Sequence, residues 1–371
     1  MKVIHVISGG ETGGSKNHVI TLLSQFPKEE MVLICMQKGE LYEEAAKQNL
    51  DVRLLEQKSR YDIQASKKLT QIIKEEKADI VHSHGPRANL FTSLIKRSFK
   101  RPLVTTMHSD PTLDFMKGGI KGKLFTKLNL WTYKRMDHFF AVSERFKSHL
   151  VQLGVHSIDI TTIYNGIDFT PSSKTKTLTR ADLGLTEDEL VISMVARLHP
   201  VKGHQYVFDA LKQIDHPNVK VLLVGDGPYK QELMDQVNKL DLDSSVHFLG
   251  FRSDINEIYQ ISDLGLLASL SESFPLALLE AAKEHRSIIS TEVGGVDQLV
   301  PNPMYGWIVR PKDSNELAEA FTEAVEMKRQ SPQELKEKGE RLYKHASEKF
   351  SLTQLAASYR ETYEQLMKNN R

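Results

Sequence analysis

The sequence predicts an α/β protein built from two doubly wound, Rossmann-like domains that face each other across a cleft. Three observations predict it. Short, β-branched apolar runs alternate with longer helical patterns, which implies βαβ units and parallel sheets. That alternation runs to about residue 168 and then starts again. The chain of 371 residues is too long for one ordinary domain and comfortable for two.

In the first half, "KVIHVIS", "MVLICM", "DIVHSH", "PLVTTMH" and "HFFAVS" read as buried strands, with "QASKKLTQIIKEEK" and "RANLFTSLIKRSF" as helices between them. "YNGID", Tyr164 to Asp168, carries an Asn-Gly turn, and the polar stretch "PSSKTKTLTR" that follows lacks apolar periodicity and reads as a linker. The boundary is therefore placed at 168/169. In the second half the strands are "LVISMVA", "VKVLLVGDG", "VHFLG", "LGLLAS", "SIISTEV" and "GWIV". The amphipathic terminal helix around "LTQLAASYRETYEQLMK" either packs on the second sheet or crosses back to the first domain.

Composition narrows the class. With 40% hydrophobic and 26% charged residues the chain has ordinary soluble usage. The single cysteine, Cys35, cannot build a disulfide framework, so the cytosol is the expected compartment. The apolar start is too short for a signal peptide, and no run of about 18 apolar residues predicts a membrane span. The net charge of +1 conceals an asymmetry: residues 1–168 carry a net +7 and residues 169–371 a net −6. The segment Lys96 to Lys147 alone holds 12 basic and 4 acidic residues, which points to an anionic partner. Within it, the Lys117 to Arg135 region interleaves Lys121, Lys123, Lys127 and Lys134 with Phe125, Leu128, Leu130 and Trp131. That is the composition of a membrane-surface segment; a core-facing helix with a solvated face is the competing reading. No nucleic-acid motif accompanies the charge.

In open α/β sheets ligands bind at the carboxyl ends of strands, so chemistry is sought in those loops. The first, "SGGETGGSKNHV", places Gly9, Gly10, Gly13 and Gly14 between a strand and a helix N-terminus, where backbone approaches an anion; it lacks the G-x-G-x-x-G dinucleotide spacing. "RLHPVKG" puts Arg197 and Lys202 on one strand-to-helix loop, with Gly203 opening the helix, a site for a diphosphate or a solvated loop with two cations. "SESFPLALLE" holds Glu272 in the exit loop of a strand, Pro275 in the first turn of the next helix, and Glu280 on its second turn. Two separated carboxylates suit two sets of polyol hydroxyls, although first-turn acids are also favoured by the helix dipole; the apolar setting of Glu280 argues for an engaged, partly buried group. His108 ends a strand, where it can donate to a substrate or remain a plain loop histidine. His82 and His84 share a strand face, but no third ligand is near and no cysteine helps, so no metal site is expected there. "DLD", Asp241 to Asp243, lies in a helix-to-strand connection and reads as a solvated turn.

Taken in order, the glycine-rich loop, "TMHSD", "AVSE", "YNGID", "ARLHPVKG", "LVGDGP", "FLGF", "SESFPLALLE" and "TEVGGVDQLV" make a chain that resembles, over nearly its whole length, a GT4-family glycosyltransferase of the GT-B fold. The resemblance implies that residues 1–168 bind an acceptor and residues 169–371 a nucleotide sugar, with no cofactor and no metal. It implies that Arg197 and Lys202 neutralise the departing diphosphate and that Glu280 accepts from ribose hydroxyls. Glu272 would hold the donor sugar with help from the backbone of Ser273, Phe274, Pro275 and Leu276. Gly13 and Gly14 would approach phosphate and sugar, His108 would sit by the reacting sugar, and Gly250, Phe251 and Arg252 would lie by the nucleobase. It implies configuration-retaining transfer and a UDP-sugar before GDP or ADP, while the basic, aromatic-laced face of the first domain suggests a lipid-linked or cell-envelope glycan acceptor. The protein is then expected in the cytoplasm, peripheral on the inner face of the membrane. A GT-B epimerase, which would turn over donor without acceptor, and a non-catalytic GT-B partner subunit are the rival readings.

Overall fold

The computed structural model describes residues 1–11, 14–55, 57, 62, 64–108, 119–171, 178–214, 216 and 218–369. These divide into two compact units, one of Met1–Asn165 with Leu352–Arg371 and one of Gly166–Ser351.

The first unit contains strands β1 (Val3–Ile7), β2 (Met31–Cys35), β3 (Val52–Leu54), β4 (Ile80–His84), β5 (Leu103–Met107), β6 (His138–Ala141) and β7 (Ile160–Thr162). Its helices are α1 (Gly14–Leu23), α2 (Glu40–Lys47), α3 (Gln64–Glu75), α4 (Gly85–Ile95), α5 (Gly119–Tyr133) and α6 (Glu144–Gln152). The strands form one parallel sheet in the order β3-β2-β1-β4-β5-β6-β7. Strand alternation sorts side chains to its two faces. Val3 and Ile7 pack with Leu22 and Leu23 of α1 and Leu41 of α2, whereas Ile4 and Val6 pack with Leu69 of α3 and Phe91 of α4.

The chain's last helix, α14 (Leu352–Asn369), belongs to this unit: Leu355, Tyr359 and Tyr363 join the α1 face of the sheet. Five of the seven strands were legible as apolar runs. The two that were not, β3 and β7, are three-residue strands at the sheet's ends, too short to show a period.

The second unit contains β8 (Leu190–Val195), β9 (Val219–Val224), β10 (Val246–Gly250), β11 (Leu264–Leu267), β12 (Ser287–Thr291) and β13 (Gly306–Val309). Its helices are α7 (His204–Ile214), α8 (Lys230–Lys239), α9 (Ile255–Ile261), α10 (Leu276–Lys283), α11 (Val296–Leu299), α12 (Ser314–Gln330) and α13 (Pro332–Lys349). The sheet order β10-β9-β8-β11-β12-β13 reverses between β8 and β11, and the order of the first sheet reverses between β1 and β4. Those reversals are topological switch points, where the loops that follow the two strands diverge and leave a crevice. The loops after β1, β8 and β11 carry most of the residues singled out in the sequence. Asp241 follows α8, is exposed and has φ +56°, as a solvated turn requires.

Candidate functional site

In the second unit, the loop after β8 begins with Arg197, which is exposed and makes no hydrogen bond or ion pair with a described residue. It continues through a single 3-10 turn, Pro200–Lys202, whose N-cap is His199: the imidazole accepts from the Val201 N–H at 3.2 Å. Gly203 does not open the helix as expected. It ends the 3-10 turn in the left-handed region at φ +71°, and α7 begins at His204. A Cβ on Gly203 would lie 2.0 Å from the Ala268 carbonyl oxygen, so a side chain here would force apart the loops after β8 and β11.

That close approach brings Lys202 to Glu272. Lys202 Nζ donates to Glu272 Oε1 at 2.5 Å, and Ser269 Oγ donates to the same oxygen at 2.6 Å. Gly294, after β12, closes the other side: at φ +54°, a Cβ there would sit 2.8 Å from Glu272 Cβ. The loops after β8, β11 and β12 thus meet at Glu272. Ser273 follows, half-buried. Phe274 turns inward, 5% exposed, with its ring 5.1 Å from that of Phe350, so it offers only backbone to a ligand.

Pro275 stands one residue earlier than expected: it is the N-cap, at φ −83° and ψ 102°, and α10 starts at Leu276. The proline ring cannot donate, and the first N–H groups of α10 have no intrahelical acceptor. They leave a local positive end beside Glu272. Glu280 lies at the start of the second turn. Its carboxylate is half-buried and unpaired among the described residues, and burial pushes its pKa up to about 7, against a weak opposing pull from Lys283.

Gly250 ends β10 at φ +68°, and its carbonyl accepts from the Gly225 N–H at 2.8 Å. Phe251 beyond it is 82% exposed. Arg252 is engaged by Asp254, with Nε 2.7 Å from Oδ1, which raises the guanidinium pKa and lowers that of the carboxyl.

In the first unit, Gly14 is the exposed first residue of α1, with open space where a Cβ would stand. Gly13 lies outside the described residues, as do Lys117 and the side chains of Lys121 and Lys123. His108 follows β5, partly exposed, and its Nε2 meets His84 Nδ1 at 3.1 Å.

His108 is not alone. His82 and His84 do share one face of β4, with their rings stacked 4.3 Å apart, but the expectation that no third imidazole is near fails. His5 of β1 stands beside them, because β1 and β4 pair in register with His5 opposite His82. The nitrogens of His5, His82 and His84 come within 4.8 Å of one another. Both nitrogens of His82 are committed, Nδ1 to Tyr363 Oη at 2.6 Å and Nε2 to Thr106 Oγ1 at 2.7 Å. Both nitrogens of His84 are also committed, Nε2 to His5 Nδ1 at 3.0 Å and Nδ1 to His108. A cation would have to displace most of these bonds, so the cluster is built as a hydrogen-bonded network. His18 of α1 adds to it, through Asn165 Oδ1 at 2.6 Å and Tyr359 Oη at 3.1 Å. Burial lowers the pKa of His5 to about 3 and of His18 to about 4, and holds His82, His84 and His108 well below the usual imidazole range.

Sequence reasoning missed His5, His18 and Asn165. The signal for His5 was a histidine in the middle of an otherwise apolar parallel strand. The signal for Asn165 was the Asn-Gly turn that had been read only as backbone geometry.

Two family models match the chain in succession. Residues 12–170 match Glycosyltransferase Family 4 and residues 175–342 match glycosyl transferases group 1. The chain is 27% identical over 326 residues to N-acetyl-alpha-D-glucosaminyl L-malate synthase of Bacillus anthracis, covering 84% of this chain and 81% of that protein. It is 28% identical over 277 residues, 72% of this chain and 71% of the other, to the UDP-Gal:alpha-D-GlcNAc-diphosphoundecaprenol alpha-1,3-galactosyltransferase of Escherichia coli. Among solved structures, Anabaena HepE in complex with UDP superposes with a TM-score of 0.84 at 23% identity, covering 98% of this chain and all of that one. A glycosyltransferase from Rickettsia africae gives 0.82 at 21% identity, covering 99% of each. At those identities the structures establish a shared fold, the two-domain α/β fold of GT-B enzymes.

Proposed function

The chain belongs to the GT4-type glycosyltransferases, and we propose on that premise that it moves a sugar from a UDP-sugar, with retention of configuration, to a lipid-linked or cell-envelope glycan acceptor. The observation that carries the donor half is the Glu280 carboxylate: half-buried, unpaired and held partly protonated by burial. A group in that state is stabilised by hydroxyl donors, and a ribose supplies two. The uridine assignment is supported by the UDP in the HepE complex and by the UDP-galactose donor named for the Escherichia coli relative. The acceptor class rests on the GlcNAc-diphosphoundecaprenol acceptor named for the same relative, and on the basic, aromatic-laced α5.

Each residue then has one task. Arg197 and Lys202 take the charge that grows on the diphosphate as the glycosidic bond breaks. The free N–H groups at the start of α10 add a fixed dipole at the same point. Glu272 accepts from hydroxyls of the transferred sugar, with Ser273, Phe274, Pro275 and Leu276 shaping the backbone beside it. Phe251, on the Gly250 and Arg252 loop, gives an exposed aromatic face for the base. Gly14 leaves room for phosphate and sugar, and His108 serves the reacting sugar.

Two cations and a helix end supply the positive charge that a divalent metal supplies in other transferases, so the reaction proceeds without a metal or cofactor. The acceptor hydroxyl attacks on the face that the diphosphate leaves, so Glu272 acts as a holder rather than a nucleophile. The unit of Met1–Asn165 with Leu352–Arg371 binds the acceptor and the unit of Gly166–Ser351 the donor. The enzyme works in the cytoplasm at the inner membrane face; no helix among the described residues is long and apolar enough to cross a membrane.

The test is a thermal-shift and hydrolysis screen with UDP-, GDP- and ADP-sugars in the presence of a chelator. Stabilisation by UDP and slow release of UDP from one sugar, both lost in Glu280→Ala, are expected. No response to any nucleotide would overturn the reading.

A further inference from the structure

A neutral imidazole carries one N–H and one lone pair, and a nitrogen-to-nitrogen hydrogen bond needs one of each. His5 Nδ1 lies 3.0 Å from His84 Nε2, and His84 Nδ1 lies 3.1 Å from His108 Nε2. Two such bonds in series force all three rings to point the same way: every ring donates toward His108, or every ring donates toward His5.

The buried end decides between them. His5 is fully buried, and its Nε2 has no hydrogen-bond partner. Were the chain to donate toward His5, that nitrogen would carry an N–H sealed in the core without an acceptor. Orphaned buried N–H groups are rarer in folded proteins than under-used acceptors. With the opposite polarity the same nitrogen keeps only a lone pair.

We propose that His5 and His84 lock the tautomer of His108, so that His108 presents its Nδ1 as a hydrogen-bond donor at the end of β5. His84 is the one hydrogen-bond partner of His108 among the described residues, which leaves Nδ1 as the open end of the wire. Burial keeps the imidazoles uncharged near neutrality, so His108 donates without bringing a full positive charge. Its target is a hydroxyl or phosphate oxygen of the bound substrate. That last statement rests on the glycosyltransferase reading; the tautomer assignment does not. His5 and His84 are positioning residues, remote from the substrate, and they act through His108.

The polarity is open to direct observation. Long-range proton–nitrogen correlation spectra of the 15N-histidine-labelled full chain at pH 7.5 distinguish protonated from bare ring nitrogens, with assignments from single histidine substitutions. The expected pattern is a protonated Nδ1 and bare Nε2 in His5, His84 and His108; a protonated Nε2 on His108 overturns the proposal.

The second arm compares His84→Asn with His84→Leu. An asparagine amide can place its N–H where Nδ1 stood, and leucine cannot. His84→Leu should lower kcat for donor turnover at least tenfold with UDP affinity unchanged, and His84→Asn should recover most of that loss. Equal losses in both variants overturn the wire. If His84→Leu fails to fold, the wild-type spectra decide alone. A wild type that neither binds UDP nor turns over any donor would sink the proposed function and leave the tautomer result standing.

Discussion

Lys202 Nζ lies 2.5 Å from Glu272 Oε1. The cation assigned to the diphosphate and the carboxylate assigned to the sugar are therefore paired with each other before any ligand arrives. Ser269 shares the same oxygen, and the pair is mostly enclosed, so each partner keeps the other's charge compensated. Under the proposed function, donor binding would exchange this contact for phosphate on one side and sugar hydroxyls on the other.

The exchange has a signed consequence. Glu272→Gln releases Lys202, so UDP alone should bind up to about fivefold more tightly, in keeping with the ~1 kcal/mol ceiling for a partly exposed pair. The same variant should lose most of the advantage that the UDP-sugar holds over UDP, and its turnover should fall by about 100-fold, the scale of a lost charge-assisted contact to a reacting group. Lys202→Met should weaken both ligands by roughly 10- to 100-fold. Calorimetric titration of each variant with UDP and with the donor reads both signs; weaker UDP binding in Glu272→Gln would contradict the exchange.

Glu280 links binding to pH. Its pKa is raised to about 7 from 4.5 by burial, and hydroxyl donors favour the ionised form. UDP affinity should therefore rise between pH 6 and 8, with proton release on binding. The phosphate of UDP titrates in the same range, so the decisive comparison is Glu280→Gln, in which the protein's share of the pH dependence disappears. Stability moves the other way. A carboxyl whose folded pKa lies above its unfolded value contributes stability that is full below pH 4.5 and is lost as pH rises through 7. Above pH 7, Glu280→Gln should be more stable than wild type by up to about 3 kcal/mol, and below pH 4.5 the two should converge. Urea unfolding at pH 4.5 and 8 measures this, and a gain in stability with loss of binding is the pattern of a strained functional group.

Phe251 is 82% exposed on the loop that Gly250 turns. An aromatic ring left in water at a strand's carboxyl end gains by stacking on a base, worth about 1–3 kcal/mol per base. Phe251→Ala should weaken UDP by about tenfold and leave the melting temperature within a degree or two, since the ring packs on little in the free protein. An unchanged UDP affinity would remove Phe251 from the base site.

How much of this was legible in the sequence depended on how local the information was. Strand runs such as "LVISMV", and the placement of Arg197 and Lys202 after β8, Glu272 after β11 and Glu280 on the next helix, depend on neighbours a few positions away, and they were read correctly. The Lys202–Glu272 contact was not legible, because it depends on the loops after β8 and β11 meeting at Gly203, 65 residues from Ala268 along the chain. The histidine wire needed the parallel register that sets His5 opposite His82, and α14 brings Tyr363 back across 281 residues to His82. Local signals also misplaced Pro275 by one position, because a proline suits both the N-cap and the first turn of a helix.

The basic helix makes the last prediction. On α5, Leu124 is 66% exposed and Trp131 is 38% exposed, and the Arg135 guanidinium lies over the Trp131 ring at 4.3 Å. Lys127 and Lys134 are exposed on the same stretch. An apolar and aromatic residue left in water among cations matches an anionic bilayer surface, where each basic residue contributes about 1 kcal/mol and the attraction decays within a Debye length. The protein should sediment with vesicles containing about one third anionic lipid at 50 mM salt and be released at 500 mM, as screening by added salt requires. Combined substitution of Lys127 and Lys134 by glutamate should abolish sedimentation, and Leu124→Ser should weaken it, while UDP-induced thermal stabilisation remains in both. A protein that stays in the supernatant at low salt would exclude the membrane from its acceptor site.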